Sequence, residues 1–153
     1  MPDQKPPRSA DGEAETLRAL LQFQRESLVR KVSGVDDLAA SWSPVGSGTS
    51  LLWLITHLAR MEITWVLVRF AGQDVAIPDA AHTLDDAVAF YRSTWPRVDA
   101  VSVAAPLDQL CRRPDADQPA SLRWVLMHLL EETARHAGHA DILRELLDGK
   151  VGR

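Results

Sequence analysis

The sequence predicts an all-α domain, a four-helix bundle, on three observations. Apolar residues recur at helical spacing over long segments. Ser, Thr and Gly punctuate those segments where helices begin and end. No segment shows the apolar–polar alternation of a half-buried strand. The chain has 153 residues, 46% of them apolar, which suits one domain with a substantial core.

Residues 1–13 are rich in Pro and charge and are expected to form a loose tail, with the domain spanning 14–150. A first helix is expected from about Glu13 to Val32, where Leu17, Leu20, Leu21, Gln24, Leu28 and Val32 share one face, and Ser33-Gly34 ends it. A loop through Trp42-Ser43-Pro44-Val45-Gly46 follows. Ser50 is the expected N-cap of a second helix that runs to about Ala71 and stops at Gly72. This helix is apolar on nearly every side, so it is either central or covered by a partner. Leu52, Ile63, Val66 and Phe70 point away from His57 and are the expected surface of a homodimer, unless neighbouring helices cover them. Thr83, with Asp86 three residues on, opens a third helix with Val88, Phe90, Tyr91 and Trp95 on its apolar face. Pro96 is expected to kink it before it resumes to about Val103. Residues 104–120 contain three prolines and read as a long loop with one helical turn at 107–112. Ser121 caps a fourth helix that runs to about Leu147 and ends at Gly149. The two longer connections make a bundle with at least one crossover.

Net charge is −4 and no basic stripe appears, so a nucleic-acid partner is not expected. The apolar stretch Leu51 to Phe70 is interrupted by His57, Arg60, Glu62 and Arg69, which argues against a membrane span. The single cysteine, Cys111, excludes an intrachain disulfide and fits a reducing compartment. The first residues lack the apolar run of a signal peptide, so a cytoplasmic location is expected. Cys111 has no His or Lys beside it in sequence and is read as incidental.

The chemistry concentrates on the fourth helix. At roughly 100° per residue, and measured from His128, the apolar face of Leu122, Val125, Leu129, Thr133, Ala140, Leu143 and Leu147 centres near ~110°. His136 falls at about 80° and Glu132 at about 40°, both within that face, while Glu131 falls roughly 60° the other way. An ionised Glu on a core face is costly unless it is paired or bound to a metal. Glu132 and His136 are spaced i, i+4, so their side chains stack and can grip one ion. They can equally form a hydrogen-bonded structural pair. The second helix offers one histidine, His57, beside Leu54, Met61, Thr64 and Val68. It reads either as a third ligand or as a satisfied core histidine.

Two strings carry a family resemblance. Ser47-Gly48-Thr49-Ser50-Leu51-Leu52-Trp53-Leu54-Ile55-Thr56-His57-Leu58-Ala59 resembles the start of the second helix in the DinB-like superfamily. Ser121-Leu122-Arg123-Trp124-Val125-Leu126-Met127-His128, followed by Glu131-Glu132-Thr133-Ala134-Arg135-His136-Ala137-Gly138-His139-Ala140-Asp141, resembles the last helix of its actinobacterial branch. That branch includes many uncharacterised proteins and the mycothiol-dependent maleylpyruvate isomerases. The likeness spans roughly Leu17 to Gly149. It implies a bundle of up-down-down-up topology and a metal site of three protein ligands. Many members use one His on the second helix and a His-x-x-x-His pair on the last. Here Glu132 replaces the first His of the pair, as in the mycothiol-dependent isomerases.

By this resemblance His57, Glu132 and His136 are the metal ligands. A His₂Glu set with an open position is a catalytic zinc pattern. Zn²⁺ is the first choice, with Ni²⁺, Fe²⁺ and Mn²⁺ as alternatives. The leading expectation is a thiol-dependent S-transferase-like enzyme that uses mycothiol and a small electrophilic substrate. The dedicated isomerases carry a further C-terminal region and this sequence ends at Arg153, so the maleylpyruvate reaction itself is not expected. Two alternatives stay open: metal-assisted hydrolysis, and a non-enzymatic metal-binding or stress-linked bundle. His139, one turn beyond His136, is read as a catalytic or ligand-orienting group, with structural hydrogen bonding the equal alternative. Arg135 is a candidate for binding an anionic group of the cofactor, against a salt bridge. His128 either extends the pocket lining or is a partly exposed structural histidine.

Overall fold

The computed structural model describes residues 4–8 and 12–151, and it is all-helical with no strand among the described residues. Helix α1 spans Glu13–Val32, α2 Asp37–Ser41, α3 Leu51–Glu62, α4 Leu84–Ala104 and α5 Leu122–Asp148. A π-helical segment, Ile63–Phe70, continues α3. The expected tail over 1–13 falls partly outside the described residues (1–3 and 9–11); residues 4–8 are exposed and carry no regular structure.

Helices α3, α4 and α5 start where a side-chain oxygen takes up a free backbone donor, whereas α1 starts after Gly12 without a side-chain cap. Ser50 Oγ accepts from Trp53 N at 3.2 Å, Thr83 Oγ1 from Asp86 N at 3.2 Å and Ser121 Oγ from Trp124 N at 3.3 Å. At the other end of α5, Gly149 takes φ +72°, a left-handed cap that a side chain would strain. The loop after α1 is not wholly irregular. Asp36 caps the short α2, and Asp37 Oδ1 accepts the Leu84 N–H at 2.7 Å, which ties α2 to the start of α4.

Two sequence expectations are corrected in the second long helix and one in the third. The run from Leu51 to Phe70 is not one uniform α-helix. From Ile63 the hydrogen bonds reach one residue further back, and Ala71 N donates to Val66 O at 2.9 Å, five residues back. The carbonyls of Phe70 and Arg69 are then taken by the N–H groups of Arg112 and Arg113 at 3.2 and 2.9 Å, so the loop before α5 seals this end. Three of the four residues of the expected dimer surface are also covered: Ile63, Val66 and Phe70 are buried with Leu21, Val98 and Leu122 inside one chain, while Leu52 is half-buried. In α4, Pro96 does not divide the helix. Pro96 lies on the exposed face beside exposed Arg92, so the Arg92 carbonyl that loses its donor faces water. In the loop after α4, the expected turn at 107–112 reduces to a turn at Leu107–Asp108. Leu110 then pairs with Ser121 in an isolated antiparallel bridge.

Two apolar clusters fill the interior. One gathers Leu28, Leu54, Leu58, Tyr91, Trp95 and Ala140, the other Leu21, Ile63, Val98, Leu122 and Leu129. Between them lies a charged layer. Arg25 is 1% exposed and Glu62 0%. Arg25 Nε donates to Glu62 Oε1 at 2.8 Å and Nη2 to Oε2 at 2.6 Å, while Nη1 donates to Asp99 at 2.8 Å and to Gln22 at 3.1 Å. Burial works against the Arg25 charge, but Glu62 and Asp99 outweigh it and raise its pKa. Burial pushes the Glu62 carboxyl up, and the Arg25 charge opposes that rise. The guanidinium therefore joins α1, α3 and α4 at one point. The run Leu51–Phe70 contains an 18-residue window of mean hydropathy 1.4, apolar and long enough to cross a membrane, yet 61% of that window is buried within the fold.

Candidate metal centre

His57 lies on α3 seven residues after its cap, and Glu132 and His136 lie one turn apart on the inward face of the single long helix α5. The packing of α3 on α5 brings these three side chains together: one ligating atom from each lies within 4.8 Å of the others. The Glu132 carboxylate is the hub. Its Oε2 is 3.6 Å from His57 Nε2 and 3.4 Å from His136 Nε2. Two ligand atoms each about 2.1 Å from a tetrahedral zinc ion sit about 3.4 Å apart. The donor set and these two spacings fit a tetrahedral divalent ion.

The other Glu132 oxygen, Oε1, accepts from Arg135 Nη1 at 3.1 Å, so the two oxygens have separate partners. Arg135 also pairs with Glu131. On the far side of His136, its Nδ1 lies 3.2 Å from Nδ1 of exposed His139. For that contact to be a hydrogen bond one of the two nitrogens must carry the proton. With the proton on His136 Nδ1, its Nε2 lone pair is left facing Glu132 and His57. Burial, helped by neighbouring His57, lowers the pKa of His136 and favours the neutral imidazole that binds metals. Trp53 stacks on His57 with centroids 4.6 Å apart and planes 8° from parallel, and presents its edge to His136 at 5.8 Å.

The wheel placed the two adjacent glutamates as they stand: the Glu132 side chain is 14% exposed and that of Glu131 60%. His128 is not part of the cluster. Its ring stacks on Trp124 at 4.8 Å and meets Trp65 at 5.0 Å. Cys111 is buried in the loop before α5, and burial raises its thiol pKa, which disfavours the reactive thiolate.

The family model for mycothiol S-transferases, described as "Mycothiol-S-transferase", matches residues 16–149. The chain belongs to the mycothiol S-transferase family. Among solved structures, a conserved protein from Enterococcus faecalis shares the fold at a TM-score of 0.71 and 15% identity, over 92% of this chain and 100% of that one. No curated protein matches the sequence.

Beside the centre of this transferase-family chain lies a cleft of about 490 Å³, between α3, the residues leading into it and residues 77–81. Trp53, His57, Arg60, Met61, Thr64 and Ile77 line it. Sequence reasoning took Arg60 only as a charge interrupting an apolar helix and gave Trp53 no role beyond the core. The signal was present: Trp53 is four residues before His57 and Arg60 three after it, so all three share one helical face.

Proposed function

We propose that this protein joins the sulfur of a low-molecular-weight thiol, mycothiol, to an electrophilic carbon of a small organic substrate, at a zinc ion held by His57, Glu132 and His136. The observation that carries this reading is the convergence of two imidazole nitrogens on one carboxylate oxygen, in a chain of the mycothiol S-transferase family. A divalent ion at these ligands supplies Lewis acidity that favours thiolate over thiol near neutral pH.

The chain's own residues prepare the rest. Arg135 holds Glu132 Oε1 and so turns Oε2 toward the two histidines. His139 fixes the His136 ring through the Nδ1 contact, and the thiol proton is released to solvent. In the transfer a C–S bond forms, and the leaving group departs with the electron pair of the bond it breaks. The same reading includes a domain over 14–150 and an up-down-down-up bundle, supported by the packing of α1 on α5 and of α3 on α4. It also includes a cytoplasmic location and a homodimer. Exposed Ile142 and Leu146, one turn apart on α5, are the apolar surface offered for that dimer.

Calorimetry with mycothiol tests the proposal. The zinc-loaded protein should bind mycothiol at least about tenfold more tightly than the metal-free protein, with a buffer-dependent heat from proton release. Equal affinity of the two forms refutes the transferase reading, and turnover of model esters by the zinc form would replace it with hydrolysis. Sedimentation showing only monomer at micromolar concentration removes the dimer.

A further inference from the structure

We propose that the cleft beside His57 binds the electrophilic substrate as an organic carboxylate, with Arg60 holding the carboxylate and Trp53 forming the wall against its apolar body. This deepens the transferase reading and rests on it for the word substrate. The binding itself stands on the cleft alone.

Charge gives the first argument. The whole chain is acidic, with net charge −4, yet among the described residues no Asp or Glu lines this cleft, and Arg60 is the one lining residue with a permanent charge. Seven arginines, Arg18, Arg25, Arg69, Arg92, Arg123, Arg135 and Arg144, pair with carboxylates. Among the described residues Arg60 forms neither an ion pair nor a side-chain hydrogen bond. A guanidinium with its planar fork free, at the edge of a cleft, is matched to a carboxylate that it can grip through two parallel N–H groups.

The walls give the second argument. Leu52, Trp53, Met61, Ile77, Ala80 and Ala81 make much of the lining, with the Thr64 and Ser41 hydroxyls among them. Trp53 is 45% exposed, and its ring is held in place by the stack on His57 rather than by burial. A sugar-bearing thiol is hydrated and uncharged away from its sulfur, so it gains little from an apolar wall or an unpaired cation. An aromatic or alkyl carboxylate gains from both. Arg60 lies three residues beyond His57, a rise of about 4.5 Å along the helix. Along α3 the order is Trp53, His57, Arg60, so a ligand anchored at Arg60 and lying against Trp53 passes beside His57 and the metal centre, which brings its body to the thiol.

The probes are 3-phenylpropionate and its uncharged analogue 3-phenylpropionamide, measured by titration calorimetry. Wild type, Arg60→Gln, Arg60→Lys and Trp53→Ala are each compared zinc-loaded and chelator-treated. Arg60→Gln should weaken the acid at least about tenfold and Arg60→Lys less, while the amide changes less than about twofold. Trp53→Ala should weaken acid and amide alike. The Arg60 effect should persist without zinc, because the guanidinium and not the ion holds the carboxylate. Equal affinity of wild type and Arg60→Gln for the acid overturns the proposal. So does binding that depends on zinc and not on Arg60, and so does failure of wild type to bind either probe. If mycothiol does not bind the zinc form but Arg60-dependent acid binding is present, the transferase reading falls and the carboxylate cleft stands.

Discussion

Glu62 and Glu132 are carboxylates that face inward from helices packed against each other, and they are treated in opposite ways. Glu62 has both oxygens taken by one guanidinium, at 2.8 and 2.6 Å, and has no access to solvent. Glu132 has one oxygen held by Arg135 and the other facing two histidine nitrogens at 3.4 and 3.6 Å, longer than a hydrogen bond. The first arrangement is closed and can only hold helices together. The second is left short of partners at one atom, behind a cleft that its neighbour His57 lines, where an ion can complete it. An inward charge is thus no sign of function until its partners are counted atom by atom.

The comparison can be broken most severely at the closed site. Arg25→Ala leaves the Glu62 charge buried without a partner and should cost about 3–5 kcal/mol in urea unfolding. Arg25→Met combined with Glu62→Leu removes both charges and should recover most of that loss, because a well-packed apolar pair needs no desolvation. A single-variant loss below about 1 kcal/mol, or a double variant as unstable as the single, would show that the layer is not what joins α1, α3 and α4.

At the open site the large effect is on metal rather than on the fold. Wild type should carry close to one divalent ion per chain, and His136→Ala should carry almost none by elemental analysis. Chelation should lower wild-type stability by about 2.7 kcal/mol when free ion was at a hundredfold excess over its dissociation constant, and should leave His136→Ala unchanged. Equal metal content in the two proteins would remove His136 from the ligand set.

Much of this contrast was legible in the sequence, and the part that was not has a physical cause. Helix ends were readable because Ser50, Thr83, Ser121 and Gly149 act locally through their own backbone neighbours. Glu132 and His136 were readable because both lie on one helix, whose phase its apolar residues set. Arg25 and Glu62 were passed over, Arg25 beside an apolar stripe and Glu62 as a mere interruption of another. Their partnership spans 37 positions and exists only once α1 meets α3. The π-helical segment was likewise invisible, since Ile63 to Phe70 has the composition of an ordinary buried helix. Its five-residue hydrogen-bond span accompanies the sealing of its end by Arg112 and Arg113 from a loop some forty residues on.

A finer cut separates the two glutamates of α5. Glu132→Gln should weaken zinc at least about tenfold, since it removes the anionic ligand, and Glu131→Gln should leave zinc affinity within about twofold. Arg135→Gln should fall between them, at roughly threefold to tenfold, because it frees Glu132 Oε1 and loosens the orientation of Oε2. A metal-indicator titration reads all three. If Glu131→Gln were the more damaging, the helix phase that puts Glu132 inward would be wrong.

The smallest expected effect is the pH dependence contributed by His136, and here the two sites should differ in kind. Burial and neighbouring His57 lower the His136 pKa below its ordinary value of 6.5, with Glu132 opposing and His139 and Arg135 adding to the depression. The unfolded chain therefore binds a proton at this residue more readily than the folded chain does. By linkage, the metal-free fold loses stability as pH falls from about 6.5 through the lower folded pKa, and the loss levels off once both states are protonated. Above about pH 7.5 the residue is neutral in both states and contributes no slope. His136→Asn keeps polarity and similar size but has no proton to gain, so the difference in urea stability between wild type and variant isolates this one titration. That difference should be flat at high pH and should shift against wild type on acidification. Zinc should steepen the acid dependence in wild type, because protons then compete with the ion for the same imidazole. A wild-type-minus-variant difference that stays flat between pH 7.5 and 5 would mean that His136 is not held neutral by its surroundings, and the open site would lose the feature that distinguishes its histidine from an ordinary surface one.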